Sequence, residues 1–410
     1  NTLGSICGVF AAIHLLIPVI GLKLTLCIAA LVDIAIGLVL LRMHAQDRPS
    51  MLRFAGAAFL SALCLILAVK VTFDPLMLAS GVFRSELAAS STVLFYRDGK
   101  TASISVVGSS QGSAHIATNG KPDAAIMLRD DSPPTEDEPT MTLAAILPLS
   151  MLEAPRRVGV IGFGSGLTTH TLLGDDRLER VDTVEIEQAM VQGARNFGKR
   201  VRRAYEDPRS NIIVDDAKSY FSNMKEKYDI IISEPSNPWI SGVGTLFSKE
   251  FYKFIPKNLT PNGLFVQWIQ LYEIDEELVG SILKSLTPEF SDYSAYLTNG
   301  SDLLIIASPN GKVPNINLEK LLANEPLSSE LRRLGLNSSE HLNFRKVADA
   351  RLLRSFAATY DTLPANSDFY PVLGLNAPKS RFENKSATAL LTLPFQAPLL
   401  LEATGIRSAL

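Results

Sequence analysis

RRVGVIGFGSGLTTH (156–170), RVDTVEIEQAM (180–190), NIIVDDAKSY (211–220) and KYDIIISEPSNPW (227–239) decide the fold. Each opens with a short apolar run and stops at a glycine-rich or acidic corner, the pattern of a buried parallel strand. Helical patterns lie between them, at 168–173 and 187–197. Strand, corner and helix in alternation define a doubly wound α/β domain. Such sheets bind ligands at the carboxyl ends of their strands. The four corners therefore converge on one crevice, carrying Gly162, Gly164 and Gly166, then Glu185, then Asp216, then Glu234.

Upstream, the 410-residue chain is strongly apolar. Segments 3–22, 24–41 and 54–69 are each long enough to read as transmembrane helices, which need roughly 17–25 apolar residues. Gly21-Leu22-Lys23 has room only for a tight hairpin, and Asp33 is an intramembrane carboxylate. Loop charges do not orient the spans: Arg42, Arg48 and Arg53 balance Lys23, Lys70 and Arg84. A net charge of -3 argues against nucleic acid as a partner. Cys7, Cys27 and Cys64 all lie in the apolar front, so the α/β part has neither a disulfide framework nor a cysteine zinc site. The chain begins at Asn1 rather than Met, as a processed chain or a fragment would.

From 91 to 127 the period falls to two, with Asp98-Gly99 and Asn119-Gly120 as hairpin turns. A polar loop (130–140) and a helix (141–152) lead into the α/β domain. After Trp239, Ser248 caps a helix through Phe254, GLFVQWI (263–269) is a fifth strand, and YSAYLT with DLLIIAS closes the sheet as a hairpin. Five alternating units and an antiparallel pair suit a seven-stranded methyltransferase-like sheet. The expected domains are transmembrane helices (1–75), a β-hairpin unit with linker (85–150), a Rossmann-like S-adenosyl domain (151–310) and a helical extension (311–410). The apolar end LLTLPFQAPLLL is too short and proline-broken to span a bilayer.

Gly162-Phe163-Gly164-Ser165-Gly166 lets the backbone turn sharply and approach a ligand at a helix N-terminus. A dinucleotide fingerprint wants glycine where Leu167 stands, so the pattern favours an S-adenosyl group. Glu185 ends the second strand, where a carboxylate can accept both hydroxyls of a ribose; Glu187 reads as the cap of the next helix. Asp215-Asp216-Ala217 offers an acceptor for an adenine amino group, with one of the two acids facing water. Glu234, Asn237 and Trp239 suit an amine: a carboxylate to hold or deprotonate it, an amide carbonyl, and an indole face.

The chain resembles the spermidine synthases, the polyamine aminopropyltransferases, and among them the membrane-fused branch in which transmembrane helices precede a synthase-like domain. The resemblance covers 92–308 through the hairpin unit, VIGFGSG, VEIE, VDDA, SEPSNPW, GTLFSKEFY and NGLFVQW. It implies decarboxylated S-adenosylmethionine as co-substrate, held by Gly162, Gly164, Ser165, Gly166, Glu185, Asp216, Ala217 and Asp123. Its aminopropyl group would pass to a polyamine nitrogen at Glu234, Asn237 and Trp239, releasing methylthioadenosine, with no metal. The resemblance also allows a homodimer. The chain departs from the family at Ser165 and Asn237, which replace acids, at Glu234, which replaces the catalytic aspartate, at Met141-Thr142, which replace a tyrosine–histidine pair, and at Asp123, which replaces a glutamine.

Two other functions fit the same residues. Asn237-Pro238-Trp239 partly resembles the corner of amino-methyltransferases, which would use intact S-adenosylmethionine. Asp33 and the lost diamine grip fit a membrane protein whose nucleoside domain binds without turnover. The expected location is a multi-pass membrane protein with the α/β domain in the cytoplasm, where adenosyl cofactors are made.

Overall fold

The computed structural model describes residues 2–44, 51–71, 74–80 and 91–395. It divides into two compact units, Asn1–Ser110 with Ile116–Pro122, and Gln111–His115 with Asp123–Leu410.

In the first unit, Thr2–Ala11, a π-helical turn Ala12–Leu16 and helix α1 (Ile17–His44) follow one another. The turn expected at 21–23 is a break in this helical run: Gly21 takes φ 79°, which only glycine adopts freely, and Thr25 donates to its carbonyl at 2.8 Å. Among the described residues one helix, Thr2–Leu40, is long and apolar enough to cross a membrane; Ala55–Ala68, within α2 (Met51–Lys70), is a shorter apolar helix. Arg48, Arg84, the side chain of Arg53 and the end of the C-terminal apolar segment lie outside the described residues. Strands β1 (Thr92–Asp98), β2 (Ser103–Gly108), β3 (Ser113–Thr118) and β4 (Lys121–Met127) form a four-stranded sheet in chain order. Asn119 and Gly120 both take positive φ at the β3–β4 turn, the requirement of a type I′ hairpin.

After β4, whose larger part belongs to the second unit, comes α3 (Glu138–Met151), which is almost wholly buried and starts three residues before the expected Met141. There follow β5 (Arg157–Ile161), α4 (Leu167–Leu172), β6 (Arg180–Glu185), α5 (Gln188–Ala194), β7 (Ser210–Val214), α6 (Ala217–Asn223) and β8 (Tyr228–Ser233). Then come α7 (Lys249–Asn258), β9 (Leu259–Gln270), α8 (Glu276–Leu286), β10 (Asp292–Leu297) and β11 (Asp302–Ser308). The extension supplies α9 (Glu325–Arg333), β12 (Lys346–Asp349), α10 (Ala350–Thr359) and α11 (Val372–Phe382).

The sheet order is β12-β10-β11-β9-β8-β5-β6-β7. The expected seven strands are thus eight: the extension adds β12, which pairs antiparallel with β10 at the edge. A four-residue strand, KVAD, ringed by helices is too short to show a period of two. The central pairs β9/β8, β8/β5, β5/β6 and β6/β7 are parallel. Chain order reverses between β5 and β8, and a crevice opens at such a switch point. Both faces of the sheet are covered. Along β8, Ile231 packs with Phe251, Phe265 and Phe356, while Ile230 and Ile232 pack with Leu147 and Leu172.

One buried ion cluster ties the extension to α3. Glu138 accepts from Arg200 at 3.1 Å and from Arg333 at 3.0 Å, and Arg200 also pairs with Glu330 at 3.0 Å. The second oxygen of Glu138 accepts Met127 N and Thr135 N. Every lone pair that burial would strand has a donor, which a buried carboxylate needs.

Candidate active site

The three corner glycines have three different reasons. A Cβ on Gly162 (φ 95°) would stand 2.3 Å from the Glu234 carbonyl, and one on Gly166 (φ 84°) would strike the Phe163 ring at 2.8 Å. Gly164 (φ 50°) has nothing within 4 Å, so only this glycine leaves backbone open to a ligand. Ser165 is buried; its hydroxyl lies 2.9 Å from Met141 Sδ and accepts from Leu167 N at 3.3 Å. Ser165 and Met141, two of the positions at which the sequence departs from the resemblance described above, thus face each other.

Glu185 is not a surface group in an open crevice. It is 8% exposed, with Phe163 N on one oxygen and Glu187 N on the other, each at 2.9 Å. Burial raises its pKa, against those two donors. A carboxylate has about four acceptor sites, so each oxygen can still accept one hydroxyl. Glu187 caps α5, accepting from Ala189 N at 3.0 Å, as the sequence reading has it. Beyond Glu185 and β7, Ile186 and Val214 are unusually exposed for aliphatic residues in this unit. Two exposed aliphatic residues at neighbouring strand ends can flank a flat base.

Asp216 caps α6, with Ser219 N on its Oδ1 at 2.8 Å, and its other oxygen can still accept. Asp215 and Asp216 are both exposed, whereas one was expected to be turned from water. Ala217 is buried behind them. Asp123, on β4, accepts from Ser236 in the fourth corner at 2.7 Å, so it meets the substrate corner as well as the cofactor side.

Glu234 ends β8. Burial pushes its pKa up to about 7, with further raising from Asp302 and Asp137 and an opposing hydrogen bond from Thr168. Thr168 Oγ1 lies 2.7 Å from Glu234 Oε2 and 3.1 Å from the Met141 carbonyl. A hydroxyl has one proton. If it goes to Met141, a protonated Glu234 donates back to Thr168, so the geometry itself suits a neutral carboxyl at rest. Asn237 is fully buried; its Nδ2 lies 3.4 Å from Tyr272 Oη, and its Oδ1 has no partner among the described residues. Trp239 stands edge-on to Tyr272, carries the Arg381 guanidinium 5.4 Å over its ring, and has an unpartnered indole nitrogen.

The structure adds residues that the sequence reading passed over. Gln270 is 0% exposed, and neither atom of its amide has a partner among the described residues. It sits opposite Asp302 in the β9–β11 ladder, so both point to the same face. Asp302 accepts from Trp268 Nε1 (3.0 Å), Thr140 (2.9 Å) and Asn299 (2.8 Å). Thr140 and Met141 are adjacent on α3, so Asp302 and Glu234 are tied to successive residues of one helix. Burial first, then Asp302, Asp137 and Asp123, raises the Tyr272 pKa. This wall of the crevice is acidic, polar and incompletely hydrogen-bonded, which is what a cationic ligand requires. A cavity of about 830 Å³ around Leu152, Asp229, Pro261 and Lys312 lies at the other ends of the strands, and its Asp229 is already committed to Arg156 N, Arg157 N and Thr260.

The profile of the spermine/spermidine synthase domain matches residues 141–300. The polyamine aminopropyltransferase of Thermococcus onnurineus is 36% identical over 112 residues, covering 27% of this chain and 39% of the relative. That of Aeropyrum pernix is 28% identical over 232 residues, covering 53% and 73%. The chain spans 39% and 55% of the length of the first two curated relatives it matches. The crystal structure of spermidine synthase from Thermotoga maritima superposes with a TM-score of 0.48 at 18% identity, covering 59% of this chain and 87% of that one. Residues 141–300 thus match the spermine/spermidine synthase domain, and over that stretch the chain is similar to that family.

Proposed function

We propose that the crevice transfers an aminopropyl group from decarboxylated S-adenosylmethionine to a primary amine of the polyamine type. The supporting observation is Glu234: a carboxyl raised to about 7, held by Thr168, directly beside the glycine corner. In this reading Glu185 accepts the ribose hydroxyls. Ile186 and Val214 flank the adenine, and Asp216 with Ala217 meets its edge. Gly162, Gly164 and Gly166 shape the turn under the sulfonium side, and Asp123 closes it.

An amine is an ammonium at neutral pH and has no lone pair until a proton leaves. Once ionised, Glu234 takes that proton, and the nitrogen lone pair attacks the aminopropyl carbon bonded to sulfur. The C–S bond breaks, its electrons return to sulfur, and a neutral thioether, methylthioadenosine, departs. Holding the nucleophile in line is most of what such a displacement needs. Asn237, Tyr272 and Trp239 line the acceptor side, and Gln270 with Asp302 offers an acceptor and a charge for a second ammonium.

Methyl transfer from intact S-adenosylmethionine is a second reading, and Ser165 favours it. Where the family's acid would hold the cofactor's amino group, this chain has a buried hydroxyl turned to Met141. Calorimetry with the decarboxylated and the intact cofactor separates the two. The membrane segment is read as multi-pass, with 3–22, 24–41 and 54–69 crossing separately and the second unit in the cytoplasm; a fused reporter active only outside the cytoplasm would refute that.

The transferase claim is tested by methylthioadenosine release from the detergent-solubilised chain with the decarboxylated cofactor and a panel of amines. Glu234→Gln is expected to lower turnover by about 10²–10⁴, the usual worth of a positioned acid–base group. No release by wild type with any amine refutes it.

A further inference from the structure

Four of the large exposed apolar side chains of the second unit fall within fourteen residues: Phe369 (84%), Tyr370 (73%), Leu375 (73%) and Phe382 (84%). On α11, Val372, Leu373, Ala377 and Ser380 are buried against the core. Pro371, Leu375, Pro378 and Phe382 are exposed, at spacings of four, three and four. That spacing is one continuous helical stripe. The helix therefore has two apolar faces, and among the described residues only one of them is covered.

The stripe is held rigidly. Asp368 pairs with Lys218 at 3.0 Å, and its backbone N–H donates to Glu250 at 2.9 Å. Asn366 donates to the Gly244 carbonyl at 2.8 Å, and Arg381 lies over Trp239. Fixed aromatic side chains in water point to a missing surface, since soluble proteins rarely leave such a patch bare.

The acids beside the patch are engaged, Asp368 by Lys218, Glu250 by Ser367 and Asp368 N, and Glu383 by Lys385, so the remaining charges select its occupant. Lys379 lies on the stripe's edge. Lys249, whose backbone donates to the Asn366 carbonyl, and Lys253 one turn on, are exposed on α7. None of the three forms an ion pair among the described residues. Lysines flanking exposed Phe, Tyr and Leu are the composition of a helix that lies in a membrane interface. A second copy of the chain would set lysines against lysines, which disfavours self-pairing. The same chain carries a helix long and apolar enough to cross a membrane, so a bilayer is at hand.

We infer that the 369–382 face docks on an anionic lipid surface, with its aromatic side chains at headgroup depth and Lys249, Lys253 and Lys379 facing the lipid phosphates. The acceptor corner then opens at the membrane, since Arg381 on the same helix touches Trp239.

The test places Phe382→Trp in the full chain, reconstituted in discs of phosphatidylcholine with phosphatidylserine, with or without bromine on the acyl chains. Wild-type fluorescence from Trp239 and Trp268 is subtracted. Expected is strong quenching of the added indole by brominated lipid. Loss of each lysine should weaken docking by about fivefold, so Lys249→Glu, Lys253→Glu and Lys379→Glu together should release the quenching. Equal emission in brominated and plain discs overturns the inference. So does sedimentation of wild type as a dimer that Leu375→Ser with Phe382→Ser converts to a monomer, because the face would then be an interface between copies. These positions are exposed, so the fold does not depend on them, and neither readout depends on turnover.

Discussion

Replacing Glu234 with glutamine should make the protein more stable at high pH and no more stable at low pH. In the folded protein the carboxyl titrates near 7, against 4.5 when free in water. Between those values the folded state holds a proton that the unfolded state has lost. Stability therefore falls as pH rises through that window, and the full penalty is present above about 7. A gap of that size, at about 1.4 kcal/mol per unit, corresponds to about 3 kcal/mol. Glutamine has no proton to lose, and its carbonyl can still accept from Thr168. The two proteins should match near pH 4.5 after allowance for the amide, and diverge to about 3 kcal/mol by pH 8. Denaturant unfolding of the full chain at half-unit pH steps, followed by Trp268 emission, reads the difference. Parallel stability curves from pH 5 to 8 would show that Glu234 titrates normally, and the argument for a neutral resting carboxyl would fail. The pH–rate profile gives a second reading: amine turnover should rise through a group near 7, and the residual turnover of the variant should lack that limb.

Glu185→Gln should lose affinity for methylthioadenosine by about tenfold to a hundredfold, the worth of a charged acceptor bond. It should also lower the melting temperature, because an amide cannot accept from both Phe163 N and Glu187 N; unchanged melting would contradict that double role. Gly162→Ala should cost more stability than Gly164→Ala, since the first Cβ meets a carbonyl at 2.3 Å and the second meets nothing; equal losses by thermal melt would refute the distinction. Gln270→Leu should raise stability by about 1 kcal/mol, by removing two buried unpartnered atoms. It should also raise KM for a diamine more than for a monoamine of the same length, and a parallel change for both amines would take Gln270 out of the acceptor site.

The strand ends and helix caps of the second unit were legible because their signals are local. Four strands end in corners, and the order of corners sets which side chains share the crevice. Glu187 could be told from Glu185 because a cap position needs only its own helix. What the sequence hides is what approaches from elsewhere. The glycine at 162 reads as room for a ligand, yet its neighbour is the carbonyl of Glu234, 72 positions on. Arg381 reaches Trp239 across 142 positions, and no spacing signals that. Gln270 was within reach: VQWIQ is a buried strand interrupted by two amides, one of which, Gln267, bonds to Tyr252 while the other bonds to nothing. The added strand β12 was not, since four residues carry too few alternations to separate from helix.

The Glu138–Arg200–Glu330–Arg333 cluster sets a limit on how the chain can be shortened. A fragment cut after the closing hairpin at Ser308 would look complete by strand count. It would remove Glu330 and Arg333, leave Arg200 with one carboxylate instead of two, and strip Glu138 of a charged partner inside the protein. Breaking a buried pair on one side is worth about 3–5 kcal/mol, a large fraction of what holds a domain together. Glu138 also fixes the start of the helix that carries Thr140 and Met141, and through them Asp302 and Thr168. The extension is thus part of the minimal folding unit, and recombinant boundaries or domain grafts should keep 111–395 in one piece.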